Sequence, residues 1–113
     1  MLTSSCEKDE NLPDYASEIA GTYDGTVTLV GTGTVSASST FTRSSNTKVD
    51  LIVTIGSNNI SLDGIDITSS GGNIYNLSYS DSSGSFQGKV EGNVLTWTLT
   101  AGSIVETFSG TKL

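Results

Sequence analysis

Residues 21–30 read GTYDGTVTLV, a stretch in which side chains of two kinds alternate. Tyr23, Val27 and Leu29 share one parity with Gly25 between them, whereas threonine or aspartate fills the positions in between. Successive side chains of a β-strand point to opposite faces, so this period of two predicts a strand with one dry face. The Gly-Thr-Gly run that follows, residues 31–33, predicts a hairpin turn.

The same alternation recurs in seven further segments. Short runs rich in Gly, Ser, Asn or Asp separate them, and such runs are typical of hairpin turns. The segments are residues 34–42, 48–55, 59–68, 73–80, 85–91, 94–100 and 103–112. Consecutive hairpins give an antiparallel meander, and closing the meander removes its exposed edges. We predict an all-β, eight-stranded antiparallel meander barrel, with a two-sheet sandwich as the alternative.

One segment changes phase in the middle. In residues 59–68, Ile60 and Leu62 lie on one parity, whereas Ile65 and Ile67 lie on the other, with Gly64 between the two pairs. One extra residue at a glycine is what a β-bulge produces. We therefore predict a bulge at Gly64 that lets Leu62 and Ile65 both point inward.

The first 13 residues differ from the rest of the chain. Residues 7–13 are polar, without periodicity, and end at Pro13, the only proline of the chain. They predict a flexible tether, and Asp14 then caps a short helical turn that runs to Glu18. The predicted organisation is a tether over residues 1–13 and one barrel domain over residues 14–113.

Charge and composition exclude several classes of protein. The net charge is −7 over 113 residues, and an acidic surface repels phosphate, so we expect no nucleic-acid partner. The chain has one cysteine and no histidine, so it lacks an intrachain disulfide and the usual ligands for zinc. No apolar run approaches the length of a membrane-spanning helix.

The polar residues predict no catalytic site. A Ser-His-Asp arrangement is excluded because histidine is absent. Asp24 and Glu106 are candidates for acid–base chemistry on a glycoside, but we assign both to the polar parity of their strands. Asp63 and Asp66 match no calcium loop, and turn chemistry explains them. We expect a non-enzymatic protein that needs no metal and no cofactor.

Seven of the eight aromatic residues share the parity of their strand's apolar residues. As candidates for the lining of a ligand cavity, they are Tyr23, Phe41, Tyr75, Tyr79, Phe86, Trp97 and Phe108. The alternative is that they fill the core, because side chains can just fill an eight-stranded barrel. We favour the second interpretation, since so small a chain offers no other core.

Trp97 lies between Leu95 and Leu99 in the middle of a strand. We expect its ring to be buried. A buried indole N–H needs an acceptor, and we predict the hydroxyl of Tyr23, Tyr75 or Tyr79 in that role.

Three segments carry a resemblance to a known superfamily. Residues 21–25 (GTYDG) resemble the opening of calycin-like (lipocalin-like) barrels, and residues 84–95 and 108–112 are similar to small calycin-like lipoproteins of Bacteroidetes-type bacteria. The resemblance implies a barrel over roughly residues 19–112. Typical lipocalins have tryptophan where Tyr23 stands and an arginine packed over it; Lys112 is the residue available here for that part.

The opening residues MLTSSCEKDE resemble a bacterial lipobox followed by an export signal. The resemblance implies that Cys6 becomes the lipidated first residue of the mature protein, and that residues 7–10 direct it to the cell surface. No charged or apolar leader segment precedes Cys6, so lipidation requires either a start codon further upstream or a leader that has been removed. The alternative is a free cysteine in a tail.

These observations predict a lipid-anchored protein of the outer membrane or cell surface, attached to the membrane through Cys6. We expect a binding module for a small apolar or glycan-derived ligand, or for a protein partner. The alternative is a hydrolase inhibitor or accessory subunit that acts through its loops.

Overall fold

A computed structural model describes residues 14–31 and 33–113. Residues 1–13, with Cys6 and the predicted tether, lie outside the described residues, as does Thr32.

One short helix and eight strands make up the described chain. They are α1 (Tyr15–Ile19), β1 (Gly21–Leu29), β2 (Gly33–Ser45), β3 (Lys48–Ile55), β4 (Asn58–Gly71), β5 (Ile74–Asp81), β6 (Gly84–Glu91), β7 (Val94–Ala101) and β8 (Ile104–Lys112). Each strand pairs antiparallel with the next, and β1 also pairs with β8, which closes the barrel. The predicted eight-stranded meander barrel is confirmed, and the sandwich is excluded.

The alternation of side chains in the sequence corresponds to the inner and outer faces of the barrel wall. On β3, Val49, Leu51 and Val53 are buried, whereas Ile52 between them is 44% exposed. On β1, Tyr23 and Val27 are buried and the intervening Asp24 and Thr26 are exposed. Apolar side chains thus fill the interior, and hydroxyl-bearing and charged side chains cover most of the outer wall.

The predicted bulge in β4 is confirmed. Against β3, Val49 pairs with Ile65 but Leu51 pairs with Leu62, so the register shifts between them. Gly64 takes φ +74°, a left-handed conformation that glycine adopts without strain. Its N–H donates to Asp50 Oδ1 at 3.0 Å, and both Leu62 and Ile65 pack on the core.

Helix α1 closes one end of the barrel. Asp14 caps it by accepting a hydrogen bond from the Ser17 N–H at 3.2 Å. Ala16 and Ile19 are fully buried, and the Ala16 N–H donates to the Asn46 carbonyl in the β2–β3 turn at 3.0 Å. We call this end, which also holds the β4–β5 and β6–β7 turns, the capped end.

Contacts of Tyr23 and Lys112 hold helix α1 against the capped end. The Tyr23 hydroxyl donates to the Ile19 carbonyl at 2.8 Å. Lys112 Nζ lies 5.9 Å from the centroid of the Tyr23 ring and 3.3 Å from the Glu18 carbonyl oxygen. Lys112 therefore takes the position over the ring that the resemblance predicted for it.

Aromatic rings fill the middle of the barrel. The Trp97 ring is 3% exposed, with Phe108 stacked on it at 5.6 Å and Phe86 at 5.5 Å between ring centroids. Its indole N–H donates to Ser39 Oγ at 3.0 Å, so the predicted tyrosine acceptor was wrong. The small Ser39 side chain faces inward from β2 and leaves room for the indole, whereas the Tyr23 hydroxyl is already bonded to a main-chain carbonyl.

Three inward-facing glycines leave no space for a ligand. A Cβ atom at Gly25 would lie 2.0 Å from the Ser109 carbonyl oxygen. At Gly110 it would lie 2.7 Å from Phe108 Cζ, and at Gly88 it would lie 2.9 Å from Trp97 Cβ. The glycines therefore admit neighbouring strands and rings, and the core here is filled.

Candidate functional site

The seven candidate aromatic residues separate into two groups by position. Five are buried in the core: Tyr23, Phe41, Phe86, Trp97 and Phe108. Tyr75 and Tyr79 are partly buried. The ring of Tyr75 lies 5.6 Å from that of Tyr15 on α1, at the capped end. Tyr79 lies towards the opposite end.

That opposite end holds the four hairpins β1–β2, β3–β4, β5–β6 and β7–β8, and we call it the mouth. A cavity of about 170 Å³ opens there. Its surface is mainly apolar, and Tyr79 is the one predicted aromatic residue that lines it. The residues around it include Leu62, Tyr79, Asp81, Gly84, Leu99 and Ala101.

Hydrogen bonds orient the Asp81 carboxylate at the edge of this cavity. Its Oδ2 accepts a hydrogen bond from the Tyr79 hydroxyl at 2.8 Å, and its Oδ1 accepts from the Ser83 N–H at 2.8 Å. The bond from Tyr79 and the bonds from the turn amides keep the pKa of Asp81 below its ordinary value. The same bond to Asp81, with a smaller contribution from the charge of Asp63, raises the pKa of Tyr79. The mouth thus carries a fixed negative charge.

Glu106 faces the interior of the barrel beside this cavity. It pairs with Leu99 on β7 and with Leu29 on β1, and residues paired across antiparallel strands carry their side chains on the same face. Its Oε1 atom is buried and has no hydrogen-bond partner among the described residues. The assignment of Glu106 to the outer wall was therefore wrong. Counting back from the inward Phe108 places it inside, whereas its charge had suggested the outside.

The remaining acidic candidates occupy the outer wall. Asp24 is exposed, as predicted. Asp66 forms an ion pair with Lys48 across the β3–β4 ladder. Within residues 14–31 and 33–113, no group of three or more potential ligands is placed to hold a metal ion.

The outer wall also has two wider depressions. One, of about 360 Å³, lies over β4, β5 and β6, and the other, of about 470 Å³, lies over β6, β7 and β8. Gln87 borders both, and serine, threonine and lysine side chains supply most of the remaining outward-facing lining. Both are open to solvent and have a more polar lining than the cavity at the mouth, so the smaller but more apolar cavity is the better candidate for a ligand site.

No family model matches this chain, and no curated protein matches it significantly. Among solved structures, the barrel is similar to a protein of Bacteroides fragilis described as a "putative outer membrane protein", with a TM-score of 0.66 at 19% identity. The match covers 88% of this chain and 53% of that one, so this chain spans about half the length of its neighbour. At this identity the likeness shows the fold. The described helix is too short to cross a bilayer.

Sequence reasoning missed most of the mouth residues. Leu62 and Leu99 looked like ordinary inward residues of their strands, and Ala101 was assigned to the turn after the predicted strand 94–100. The alternation of side chains does not show which end of the barrel the helix covers. Asp81 looked like a turn residue, which it also is. The inward position of Glu106 could have been predicted from the sequence, since Glu106 shares the parity of Phe108.

Proposed function

We propose that this chain is a non-enzymatic, lipid-anchored protein of the cell envelope that binds a small ligand at the mouth of its barrel. The observation that carries the proposal is the difference between the two ends. Helix α1 fills the capped end with Ala16 and Ile19, whereas the mouth keeps an apolar cavity of about 170 Å³ with a few fixed polar groups. Such a combination is typical of small-molecule sites.

The distribution of side chains favours attachment through the segment before the barrel. The outer wall of β1 presents Thr22, Asp24, Thr26 and Thr28, which offer nothing to lipid tails. Cys6, followed by a polar tether, is suited to hold such a barrel at a membrane surface, since a multiply acylated cysteine anchors firmly. The similarity to the Bacteroides fragilis protein described as a "putative outer membrane protein" supports the same location.

The anchor is tested by replacing Cys6 in the full-length gene expressed in its own host. Cys6→Ala should move the protein from the membrane fraction to the aqueous fraction, because the acyl attachment point is gone. Ser4→Ala is the matched control and should stay with the membrane. An unchanged distribution of Cys6→Ala would remove the lipid anchor from the proposal.

The binding site is tested by titrating the chain with small apolar and amphiphilic probes while amide and methyl resonances are followed by NMR. We expect saturable shifts at Leu62, Leu99 and Ala101. Ala101→Phe should abolish them by filling the cavity, whereas Ala37→Val, a smaller enlargement at an inward position that does not line the cavity, should not. Probes that shift only outer-wall resonances would place the site elsewhere.

A second candidate function rests on the hairpins around the mouth. Val30 in the β1–β2 turn is 71% exposed and Ile104 at the start of β8 is 58% exposed. The Val30 N–H donates to the Val105 carbonyl at 3.3 Å, so the two apolar tips are neighbours. Exposed apolar tips favour a protein contact, as an inhibitor or accessory subunit would make. Val30→Ser with Ile104→Ser should abolish such a contact and leave the binding of small probes unchanged.

A further inference from the structure

We infer that the mouth of the barrel selects a small organic ammonium ion, with its apolar body in the cavity and its charge on Glu106. This inference rests on the proposed binding function and names the chemical class of its ligand. It comes from three observations: a carboxylate oxygen without a partner, an uneven distribution of charge, and the size of the cavity.

The first observation is the environment of Glu106. The side chain stands between Leu29 and Leu99 on the inner face, and both of these residues pack on the core. Its Oε1 atom is buried without a hydrogen bond, although a buried carboxylate oxygen is costly unless a donor or a cation meets it. Glu106 does not itself line the cavity, but its cross-strand partner Leu99 does, which places the carboxylate one strand away from the cavity wall.

The second observation is the distribution of charge along the barrel. All four basic residues of the described chain lie in its capped half, and each has a partner there. Arg43 pairs with Asp14, Lys48 with Asp66, and Lys89 with Glu91, while Lys112 donates to the Glu18 carbonyl.

The mouth, in contrast, carries acidic side chains without basic partners among the described residues. Asp81 and Glu106 are acidic residues of this end, and no basic side chain of the described chain accompanies them. Asp63 adds negative charge close to Tyr79. A low-dielectric wall that carries charge of one sign concentrates ions of the opposite sign. The mouth is therefore complementary to a cation and repels an anion such as a fatty acid.

The third observation concerns size. An apolar cavity of about 150 Å³ holds a benzene-sized molecule, and the cavity at the mouth measures about 170 Å³. Leu62, Leu99 and Ala101 offer such a body an apolar wall. The complementary ligand combines one ring, or a short branched chain, with one ammonium group. Benzylamine, which is protonated at neutral pH, is a suitable probe.

The experiment compares benzylamine with benzyl alcohol and benzoate, which have the same ring but differ in charge. Dissociation constants are measured on the full chain by NMR titration at low salt. We expect benzylamine to bind about tenfold more tightly than benzyl alcohol, the contribution of a charge-assisted hydrogen bond, and benzoate not to bind. Affinity for benzylamine should fall as sodium chloride is added, while affinity for benzyl alcohol should not.

Two substitutions localise the charge that matters. Glu106→Gln should weaken the binding of benzylamine about tenfold, to the level of benzyl alcohol. Glu91→Gln, at the capped end, is the matched control and should leave affinity unchanged. Asp81→Asn provides a second variant at the mouth if Glu106→Gln does not fold, and should reduce the preference for benzylamine over benzyl alcohol.

The outcomes separate this inference from the proposed function. If benzylamine and benzyl alcohol bind equally at the mouth, or if Glu106→Gln binds benzylamine unchanged, the ammonium inference is wrong while the binding function stands. If no probe shifts the mouth resonances, both fail. Shifts caused by a lysine-containing peptide but not by benzylamine would overturn the inference in favour of a protein partner.

Discussion

Ser39 and Trp97 are separated by 58 positions in the chain, and a hydrogen bond joins them inside the barrel. The bond shows how single polar atoms are accommodated in this core, because the indole N–H, the Tyr23 hydroxyl and the Ser39 hydroxyl all have partners. Glu106 Oε1 is the exception among buried side-chain atoms of the described residues. Contacts of this kind depend on the closed barrel, so no local pattern in the sequence could have paired Trp97 with Ser39.

Removing the acceptor of the Trp97 N–H should be costly. Ser39→Ala leaves a buried donor without a partner, and we expect a loss of about 1–3 kcal/mol in the free energy of unfolding. Chemical denaturation followed by tryptophan emission measures it. Ser36→Ala, an exposed position on the same strand, should change the free energy by less than about 0.5 kcal/mol. Equal effects of the two substitutions would show that the bond contributes nothing.

Tyr23 should make the barrel sensitive to alkali. Burial raises the pKa of Tyr23 from 10.0 to about 12. In the unfolded chain the phenol releases its proton near its ordinary pKa, so stability is retained below pH 10 and falls as the pH rises towards 12. Tyr23→Phe should remove part of this fall, whereas Tyr15→Phe should keep it. Denaturant midpoints between pH 8 and pH 12 provide the measurement, and identical slopes for all three proteins would contradict it.

We expect Glu106 to lower the free energy of unfolding of the barrel, although it contributes to the proposed binding of the ligand. Glu106→Leu replaces an oxygen that has no partner with an apolar group, and it should raise the free energy of unfolding by about 1 kcal/mol. The same change should abolish the preference for benzylamine. Urea denaturation measures the first effect, with Glu91→Gln as control. A loss of stability would show that the carboxylate has a structural partner.

At the scale of the elements, the sequence predicted the number of strands and the position of one bulge. Period-two alternation predicted all eight strands, and the phase change at Gly64 predicted the bulge, because both follow from side-chain direction alone. The short turn after Asp14 was also predicted. Its role was not, because the burial of Ile19 against the barrel depends on how the strands close. For the same reason the sequence did not distinguish the capped end from the mouth.

The cap of α1 should contribute measurably to the stability of the barrel. Asp14 accepts hydrogen bonds from the Ser17 N–H at 3.2 Å and from Arg43 Nε at 3.0 Å. Asp14→Ala removes both, and we expect a loss of about 0.5–2 kcal/mol in the free energy of unfolding. Glu18→Ala, in the same helix but without a capping bond, is the control. Hydrogen exchange should also quicken at Ala16 and Ala20, and unchanged exchange there would argue against a structural role for the cap.

At the scale of the whole molecule, the fold depends on the ladder between β1 and β8. This ladder runs from the pair Tyr23–Lys112 to the pair Leu29–Glu106 and removes the last two free edges of the sheet. Gly25 opposite Gly110 allows the two strands to approach closely. The alternation predicted that the sheet closes, but only the structure shows how closely β1 and β8 approach each other at these glycines.

Closure should be sensitive to a single methyl group. Gly25→Ala places a Cβ atom 2.0 Å from the Ser109 carbonyl oxygen and 2.5 Å from Gly110 Cα. We expect a loss of about 1–3 kcal/mol, as for an overpacked core, together with aggregation through the freed strand edges. Thermal unfolding and light scattering measure the two effects. Thr26→Ala, the outward neighbour, should behave like the unaltered protein; if Gly25→Ala does too, the strands can separate without cost.

The ladder between the first and last strands also determines when the barrel can close during synthesis of the chain. A growing chain can form hairpins as they emerge, but β1 waits for its second partner until β8 has been made, on the order of ten seconds later at common rates of translation. During that interval the sheet keeps two unpaired edges, one on β1 and one on the most recently made strand. The fold is therefore complete only when the last residues of the barrel have been synthesised.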